Sequence, residues 1–375
     1  MTSVLFSPLS LGPITLPNRI AVAPMCQYSA DDGSATDWHL QQIMQYAMSG
    51  AGLVTLEATG VERRGRITHG CLGIYSDDNE AALGRVLTAA RKVAIPGTRF
   101  GIQLAHAGRK ASTQRPWEGG GPLGPHEDPW PIVAPSALPF GPGYATPAAL
   151  DEDGMARVRL AFVRAAQRCV RLGFDMVELH STHGYLLDEF LSPIANVRSD
   201  GFGGSRDNRM KFPLSVARAV RAVLPAHMVL GARMTGSDWT SDGWSQDDAA
   251  VYAQALKEIG VGYLSVSSGG IAPNIAIPAT PGYQVPFAAH VKAKTGVVTA
   301  AAGHIAAADQ AEEIVASGKA DMVALARAFL DNPHWVWHAA DRLGAAIKYP
   351  PQYARAAASL WRMAALARPL DFPKA

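Results

Sequence analysis

Short runs of apolar residues recur along the chain, and each is followed by polar residues or by a turn that contains glycine. Eight of these runs have the length of buried strands, and they lie at residues 20–23, 53–57, 100–104, 176–179, 229–233, 263–266, 297–300 and 322–325. Most of the gaps between them are long enough for one helix and two loops, which is the βα unit of a parallel sheet. The pattern therefore predicts strands that alternate with helices.

Helical periodicity fills several of these gaps. Apolar side chains recur at helical spacing from residue 155 to 172, before Gly173, and from 247 to 259, before Gly260. A shorter helical run lies at 310–316. Because glycine readily adopts the left-handed conformation that ends a helix, the two glycines mark helix ends. The three predicted helices precede the fourth, sixth and eighth strands.

Eight alternating units predict the α/β fold class, as a single (β/α)8 TIM barrel that comprises the whole chain, residues 1–375. An open doubly wound sheet is the alternative, but it usually has a glycine-rich phosphate-binding turn after its first strand. Here the first strand leads into Pro24, Met25 and Cys26 instead. A formal G-x-G-x-x-G begins at Gly119, but it lies in a proline-rich loop that follows no strand, so we do not interpret it as a dinucleotide site.

Two segments interrupt the alternation of strands and helices. Residues 108–149 follow the third strand and are rich in proline and glycine. Loops of this length within one domain usually have a function, so we interpret the segment as a lid or hairpin over the mouth of the barrel. Residues 349–375 form a C-terminal tail that begins with an extended, proline-containing segment and continues as an alanine-rich helix.

Composition excludes several classes of protein. The chain has 375 residues, a net charge of +2, and 48% hydrophobic against 18% charged residues, which is typical of a globular protein. The balanced charge gives no sign of a nucleic-acid or membrane-surface partner. Neither a transmembrane stretch nor a signal peptide is recognised, so we expect a cytoplasmic protein. Three cysteines, Cys26, Cys71 and Cys169, are too few for a disulfide framework.

Barrel enzymes place their chemistry at the carboxyl ends of the strands, where this chain has two histidines, His180 and His183, after the fourth strand. Two imidazoles at this spacing could bind a metal ion, could donate together to a developing oxyanion, or could be structural. The first of these alternatives corresponds to a metal-dependent barrel hydrolase. Such hydrolases usually have an H-x-H pair after the first strand, and this chain lacks one there.

Other strand ends also have candidate residues. Arg233 ends a strand that looks buried, so its charge requires either a bound anion or an ion pair with Glu57 or Glu178. Small-residue turns after the seventh and eighth strands indicate a phosphate-binding site. Cys26 follows the first strand and could be either a packing residue or a reactive thiol.

Several of these segments together resemble the Old Yellow Enzyme family of FMN-dependent ene-reductases, most of all its bacterial thermophilic-like and xenobiotic-reductase subclass. The resemblance covers nearly the whole chain. It is found in Leu16-Pro17-Asn18-Arg19-Ile20, Ala23-Pro24-Met25-Cys26-Gln27-Tyr28, Gln103-Leu104-Ala105-His106-Ala107-Gly108-Arg109-Lys110, Glu178-Leu179-His180-Ser181-Thr182-His183-Gly184-Tyr185-Leu186, Arg198-Ser199-Asp200, Phe202-Gly203-Gly204-Ser205, Asn208-Arg209, Ser267-Ser268-Gly269-Gly270 and Ala326-Arg327.

The resemblance implies a non-covalent FMN that NADPH or NADH reduces, followed by hydride transfer from flavin N5 to the β-carbon of an α,β-unsaturated carbonyl or nitro compound. It implies that His180 and His183 bind the substrate oxygen, that Tyr185 protonates the α-carbon, and that Tyr28 contacts the substrate. The residues it implies for FMN are Ala23, Pro24, Met25, Cys26, Ala58, Gln103, Arg233, Gly303, Ala326 and Arg327. No metal is implied.

The resemblance also implies a homodimer or higher homo-oligomer in which Arg355 reaches the flavin pocket of a neighbouring subunit. Two departures from the subclass stand out. Ala326 replaces a glycine before Arg327, which makes its contact with phosphate less secure, and the tail after Arg355 is unlike that of better-known members. A flavin-binding protein without catalysis is the second alternative function, beside the metal-dependent hydrolase.

Overall fold

A closed barrel of eight parallel strands forms the centre of the computed structural model, which describes residues 2–368. Strands that are neighbours in the barrel also follow one another along the chain. The exception is a pair of short strands in the excursion, which come between the third and fourth barrel strands in the sequence. The strands are β1 (Leu9–Leu11), β2 (Ile14–Leu16), β3 (Ile20–Val22), β4 (Leu53–Gly60), β5 (Arg99–Ala105), β6 (Val133–Ala134), β7 (Ala148–Ala149), β8 (Met176–Ser181), β9 (Val229–Thr235), β10 (Tyr263–Ser267), β11 (Val298–Ala301) and β12 (Met322–Leu325).

Helices surround this barrel. They are α1 (Asp37–Ala47), α2 (Asp77–Val93), α3 (Glu152–Leu172), α4 (Leu186–Leu191), α5 (Arg206–Val223), α6 (Gln246–Ile259), α7 (Val285–Thr295), α8 (Ala308–Ala316), α9 (Arg327–Asp331), α10 (Trp335–Leu343) and α11 (Ala364–Ala367), with 3-10 turns at Arg63–Gly65, Gly108–Lys110, Pro116–Glu118 and Pro351–Ala356. The predicted (β/α)8 barrel is therefore confirmed, and each barrel strand overlaps its predicted run.

The three predicted helices are α3, α6 and α8, and local sequence explains their ends. The Asp151 carboxylate accepts the backbone N–H of Gly154 at the start of α3, and a serine caps α6 in the same way. Helix α3 ends at Gly173 with φ of 74°, and α6 ends at Gly260 with φ of 98°. Both glycines have the left-handed conformation that their position predicted.

The barrel interior is apolar at its amino end. The antiparallel hairpin β1–β2 closes this end, since Leu11 and Leu16 pack against Met176, Val229 and Met322, which are at or near the first residues of their strands. The polar residues predicted to be functional lie toward the opposite, carboxyl end of the barrel, since His180 is next to the last residue of β8 and Arg233 is in the second half of β9.

The excursion over residues 108–149 is not a hairpin. Its two strands, β6 and β7, pair in parallel, with Val133 opposite Ala148. The intervening segment turns back before β7 begins, so both strands run in the same direction. The Arg198 guanidinium links the carboxyl ends of these two strands by donating to the carbonyl oxygens of Pro135 and Leu150, which directly follow β6 and β7. A lid function for this excursion stays a prediction.

The tail departs from its predicted conformation. A 3-10 helix at Pro351–Ala356 replaces the predicted extended segment, because a proline with φ near −65° also fits the first turn of a helix. The alanine-rich helix is reduced to the single turn of α11. Residues 369–375 lie outside the described residues. Among residues 2–368, no helix is both long enough and apolar enough to cross a membrane.

Candidate active site

A cavity of about 600 Å³ opens at the carboxyl ends of the barrel strands. This volume lies within the range of sites for cofactors and small molecules. Five of the ten residues predicted for the cofactor line it, namely Ala23, Arg233, Gly303, Ala326 and Arg327. Pro24, Met25 and Cys26 directly follow Ala23, while Ala58 lines a second, smaller space that His180 and Tyr185 also line.

A buried polar pair lies near Arg233, although neither of its members lines the cavity. Gln103 on β5 donates its side-chain N–H to Glu178 on β8 at 2.7 Å, and each side chain is only 1% exposed. Burial raises the pKa of Glu178 to about 7, although the Arg233 cation and the Gln103 hydrogen bond both oppose this increase. The carboxyl group is therefore partly protonated at neutral pH.

Arg233 itself forms no ion pair within 4.0 Å among residues 2–368, neither with Glu57 nor with Glu178. Its buried Nε also has no hydrogen-bond partner in that part of the chain. Of the two sequence interpretations, the bound anion fits this geometry better than a closed ion pair. A cation that lines a cavity and has an N–H without a partner suits an electron-rich ligand.

The two candidate histidines lie against each other on β8 and the loop that follows it. Their rings meet edge to face with centroids 5.5 Å apart. Removal from water lowers the pKa of both rings well below the ordinary value, and the Arg233 cation lowers it further. Both imidazoles are therefore neutral at neutral pH, and each has one N–H to donate. Nδ1 of His180 is buried without a partner among residues 2–368.

Tyr185 completes this group. Its ring packs edge to face on His180 with centroids 4.9 Å apart, and removal from water raises the pKa of its hydroxyl, so the hydroxyl remains a proton donor. Lys110 Nζ lies 4.8 Å from the centre of the Tyr185 ring and donates to the carbonyl oxygens of His183 and Gly270 at 2.8 and 3.0 Å. The ammonium group thereby ties the histidine loop to the loop after β10.

Cys26 and Tyr28 lie after β3, three strands from β10 around the barrel. Burial, and secondarily the Glu57 carboxylate, raises the pKa of the Cys26 thiol well above its ordinary value. The group is therefore a neutral thiol, not a thiolate nucleophile. Tyr28 has a positive φ of 51°, and its ring meets Trp117 of the excursion edge to face at 6.0 Å. The excursion thus contacts a predicted substrate residue.

The end of β11 forms a close backbone surface against the cavity. Gly303 has φ of 96°, and a Cβ added there would lie 2.6 Å from Nε2 of Gln284. A side chain at this position would therefore occupy space beside the cavity wall. Together with the exposed Arg327 and the unused Nε of Arg233, this surface fits an anionic, planar cofactor such as FMN.

Sequence reasoning missed three residues that shape the site: Lys110, Trp239 and Gln284. The resemblance had marked Lys110 only as part of a motif, and nothing in the sequence pointed to Trp239 or Gln284, which lie in loops. Ser268 was recognised at the end of the sixth strand, but without a role. Conversely, Arg355 is exposed in the tail and does not line the cavity of its own chain.

Within residues 2–368, no group of three or more His, Cys, Asp or Glu side chains could hold a metal ion.

The fold and the site together are those of a barrel enzyme with a cofactor cavity at its mouth. A family model described as the NADH:flavin oxidoreductase / NADH oxidase family matches residues 4–345. An NADPH dehydrogenase of Geobacillus thermodenitrificans (strain NG80-2) is 41% identical over 357 residues, which are 95% of this chain and 99% of the relative. An NADPH dehydrogenase of Listeria monocytogenes serotype 4a (strain HCC23) is 40% identical over 356 residues, covering 94% and 99% of the two chains.

A solved structure of morphinone reductase is 30% identical, with a TM-score of 0.75, and the match covers 94% of this chain and 93% of that one. Another, of morphinone reductase in complex with tetrahydroNAD, has a TM-score of 0.73 at the same identity, with 93% of each chain covered. The chain therefore belongs to the NADH:flavin oxidoreductase / NADH oxidase family, the Old Yellow Enzyme family. It is an FMN-dependent oxidoreductase, as the resemblance implied, and the metal-dependent hydrolase is the wrong alternative.

Proposed function

We propose that the chain is an ene-reductase, which reduces the carbon–carbon double bond of an α,β-unsaturated carbonyl or nitro compound. The observation that supports this most is the group formed by His180, His183 and Tyr185. Two neutral N–H donors and one protonated hydroxyl lie together, and His183 among them lines the cofactor cavity. A reaction that adds hydride at one carbon and a proton at the next requires both kinds of donor.

FMN, when bound and reduced by a nicotinamide, supplies the hydride. The residues proposed to hold it are the ten named above. Arg233 and Gln103 are proposed to bind the pyrimidine side of its ring, and Arg327 with the backbone of Gly303 and Ala326 its phosphate. NADPH is the proposed donor, since similar chains are NADPH dehydrogenases, although morphinone reductase is also known in a complex with tetrahydroNAD.

Hydride addition to the β-carbon builds negative charge on the substrate oxygen. His180 and His183 are proposed to donate to that oxygen. Because both rings are neutral, they stabilise the charge by hydrogen bonds without giving up a proton. The unpartnered Nδ1 of His180 is a donor or acceptor that a ligand would satisfy. Tyr185 is proposed to protonate the α-carbon, which becomes basic as the hydride arrives.

Two further roles complete the proposal. Cys26, as a neutral thiol beside the cavity, is proposed to tune the redox potential of the flavin without covalent chemistry. Tyr28, in contact with Trp117, is proposed to form one side of the substrate pocket. Arg355 is proposed to reach the pocket of a second copy of the chain in a homodimer, since it lies away from the cavity of its own chain.

The test replaces His180 and His183 together by alanine. FMN content and reduction of the flavin by NADPH should be unchanged, since neither histidine is assigned to those steps. Reoxidation by 2-cyclohexenone should slow by about 100-fold or more, and phenol binding should be lost. His290→Ala serves as the matched control, because that partly exposed histidine pairs with Asp247 away from the cavity.

Two results would contradict the proposal. One is reoxidation by the enone at the wild-type rate in the double variant. The other is equal slowing of both half-reactions, which would indicate general damage to the site. A protein that binds FMN but is not reduced by NADPH would instead favour the non-catalytic flavin-binding alternative.

A further inference from the structure

A continuous line of four hydrogen bonds runs from Trp239, in the loop after β9, to His183. Trp239 Nε1–H donates to Ser268 Oγ at 2.9 Å, and Ser268 Oγ–H donates to Gln284 Oε1 at 2.8 Å. Ser267 Oγ–H donates to the same Gln284 oxygen at 2.9 Å. His183 Nε2 lies 2.7 Å from Ser267 Oγ. The line joins an indole outside the cavity to a histidine that lines it.

The chemistry of the indole fixes the direction of every bond in this line. An indole N–H can only donate, so Ser268 accepts from Trp239 and must pass its own proton onward. The oxygen of the Gln284 amide is the acceptor that receives it, and this sets the orientation of the amide. The same oxygen then receives the hydroxyl proton of Ser267. Ser267 therefore has only lone pairs left for His183, whose Nε2 must bear a proton.

Burial makes this direction strict. Ser267, Ser268 and Gln284 are 1%, 5% and 3% exposed, so water is not freely available to satisfy a reversed bond. If the Gln284 amide were turned over, the Ser268 hydroxyl would lose its acceptor inside the protein, which is costly for a buried group. Trp239 is itself held in place by Phe287, whose ring meets the indole edge to face at 5.1 Å.

We propose that Trp239 is a positioning residue that fixes the tautomer of His183 with its proton on Nε2. The inference rests on the proposed function, in which this ring donates to the substrate oxygen. His183 and Ser267 both line the cavity, so the Nε2 proton lies at its wall and a ligand oxygen can share it. The other tautomer would present a lone pair there and would repel a developing oxyanion. Trp239 thereby influences the substrate indirectly, through the four hydrogen bonds that lead to His183, and does not contact the substrate itself.

The test is to read the tautomer directly in the oxidised holoenzyme. In protein labelled with ¹⁵N in histidine, protonated and unprotonated ring nitrogens differ widely in chemical shift, and His183→Gln identifies the His183 signals. The wild type should show a protonated Nε2 and an unprotonated Nδ1. Trp239→Phe keeps a ring in place but removes the donor, so both directions become available and the His183 signals should move toward a mixture of tautomers.

Two further variants make the test specific. Phe287→Leu disturbs the packing of the indole but leaves its N–H, so the tautomer should stay as in the wild type. Trp239→Phe combined with Gln284→Glu should restore the proton on Nε2, because a carboxylate offers only acceptors and again orients both serine hydroxyls. Ser268→Ala interrupts the line at its second member and should reproduce the effect of Trp239→Phe without touching the aromatic packing.

Enzyme kinetics connect the tautomer to function. The rate of enone reoxidation in Trp239→Phe should fall in proportion to the Nε2–H population, about two-fold if half of it is lost, while reduction by NADPH is unchanged. An unaltered tautomer in both Trp239→Phe and Ser268→Ala would overturn the inference. Failure of the proposed function would be recognised separately, as wild-type reoxidation in the variant that lacks both histidines, whatever the tautomer of His183.

Discussion

The buried carboxyl group of Glu178 should make the flavin-free protein progressively less stable between pH 5 and pH 8. Its pKa is raised from 4.5 to about 7, with removal from water as the main cause. Between these two values the folded chain holds a proton at Glu178 that the unfolded chain has released. Because the folded state binds more protons there, its stability is complete at low pH and decreases as pH rises through the window.

The magnitude follows from the separation of the two pKa values. Over the whole window it corresponds to about 3 kcal/mol, and most of this falls between pH 5 and pH 8. Glu178→Gln removes the titration but retains an oxygen that can accept the N–H of Gln103, so the local hydrogen bond is preserved. The variant should therefore become more stable relative to the wild type by about 2 to 3 kcal/mol over that pH range.

The assay is urea unfolding of the flavin-free wild type and Glu178→Gln at pH 5, 6, 7 and 8, under conditions in which unfolding is reversible. Glu313→Gln is the control, since it removes a carboxylate whose side chain is 59% exposed, and its profile should run parallel to that of the wild type. If the wild type and Glu178→Gln also give parallel profiles, Glu178 does not hold a proton in the folded state, and the reasoning is refuted.

Three other variants test single features of the site. Tyr185→Phe should spare flavin reduction by NADPH and slow reoxidation by enones in stopped-flow measurements, whereas equal slowing of both would indicate a structural role. Gly303→Ala should weaken FMN binding to the flavin-free protein in a fluorescence titration, while Gly318→Ala, which has φ of 76° and no neighbour within 4 Å, should cost stability without changing FMN affinity. Arg355→Ala should raise the KM for enones in a protein that sedimentation shows to be dimeric, and an active monomer indifferent to Arg355 would contradict the shared site.

The barrel could be predicted because its strands follow a physical rule that is visible in the sequence. Strands buried on both faces are continuous apolar runs, and the eighth strand was predicted with its observed bounds, Met322–Leu325. The predicted strand end that differs most from the observed one is that of β4, which was predicted to end at Glu57 but continues through Ala58 and Thr59 to Gly60. Thr59 and Gly60 carry no apolar signal, and a register shift between Leu56 and Ala58 further disguises the strand.

The site was predictable to the extent that it is made of strand ends. His180 and Arg233 are paired residues on neighbouring strands, so their proximity follows from the barrel alone. The hydrogen bond between Ser268 and Gln284 was not predictable, because it joins a loop to the start of α7, and no periodicity encodes that distance. The direction of a hydrogen bond depends in turn on all of its neighbours, which only the folded chain brings together.

The charges at the mouth also determine which groups can respond to pH. The Arg233 cation disfavours a second positive charge nearby, and this is one reason why the pKa of both His180 and His183 is low. The same cation stabilises the charged form of Glu178, yet burial outweighs it and leaves that pKa near 7. The histidines therefore remain neutral donors across the physiological range, and of these three groups only the carboxyl titrates within it. Lys110, which donates to the carbonyl oxygen of His183, has a pKa that burial lowers to about 8. A change in turnover near neutral pH would then originate at Glu178 or Lys110, and not at the two histidines proposed to bind the substrate oxygen.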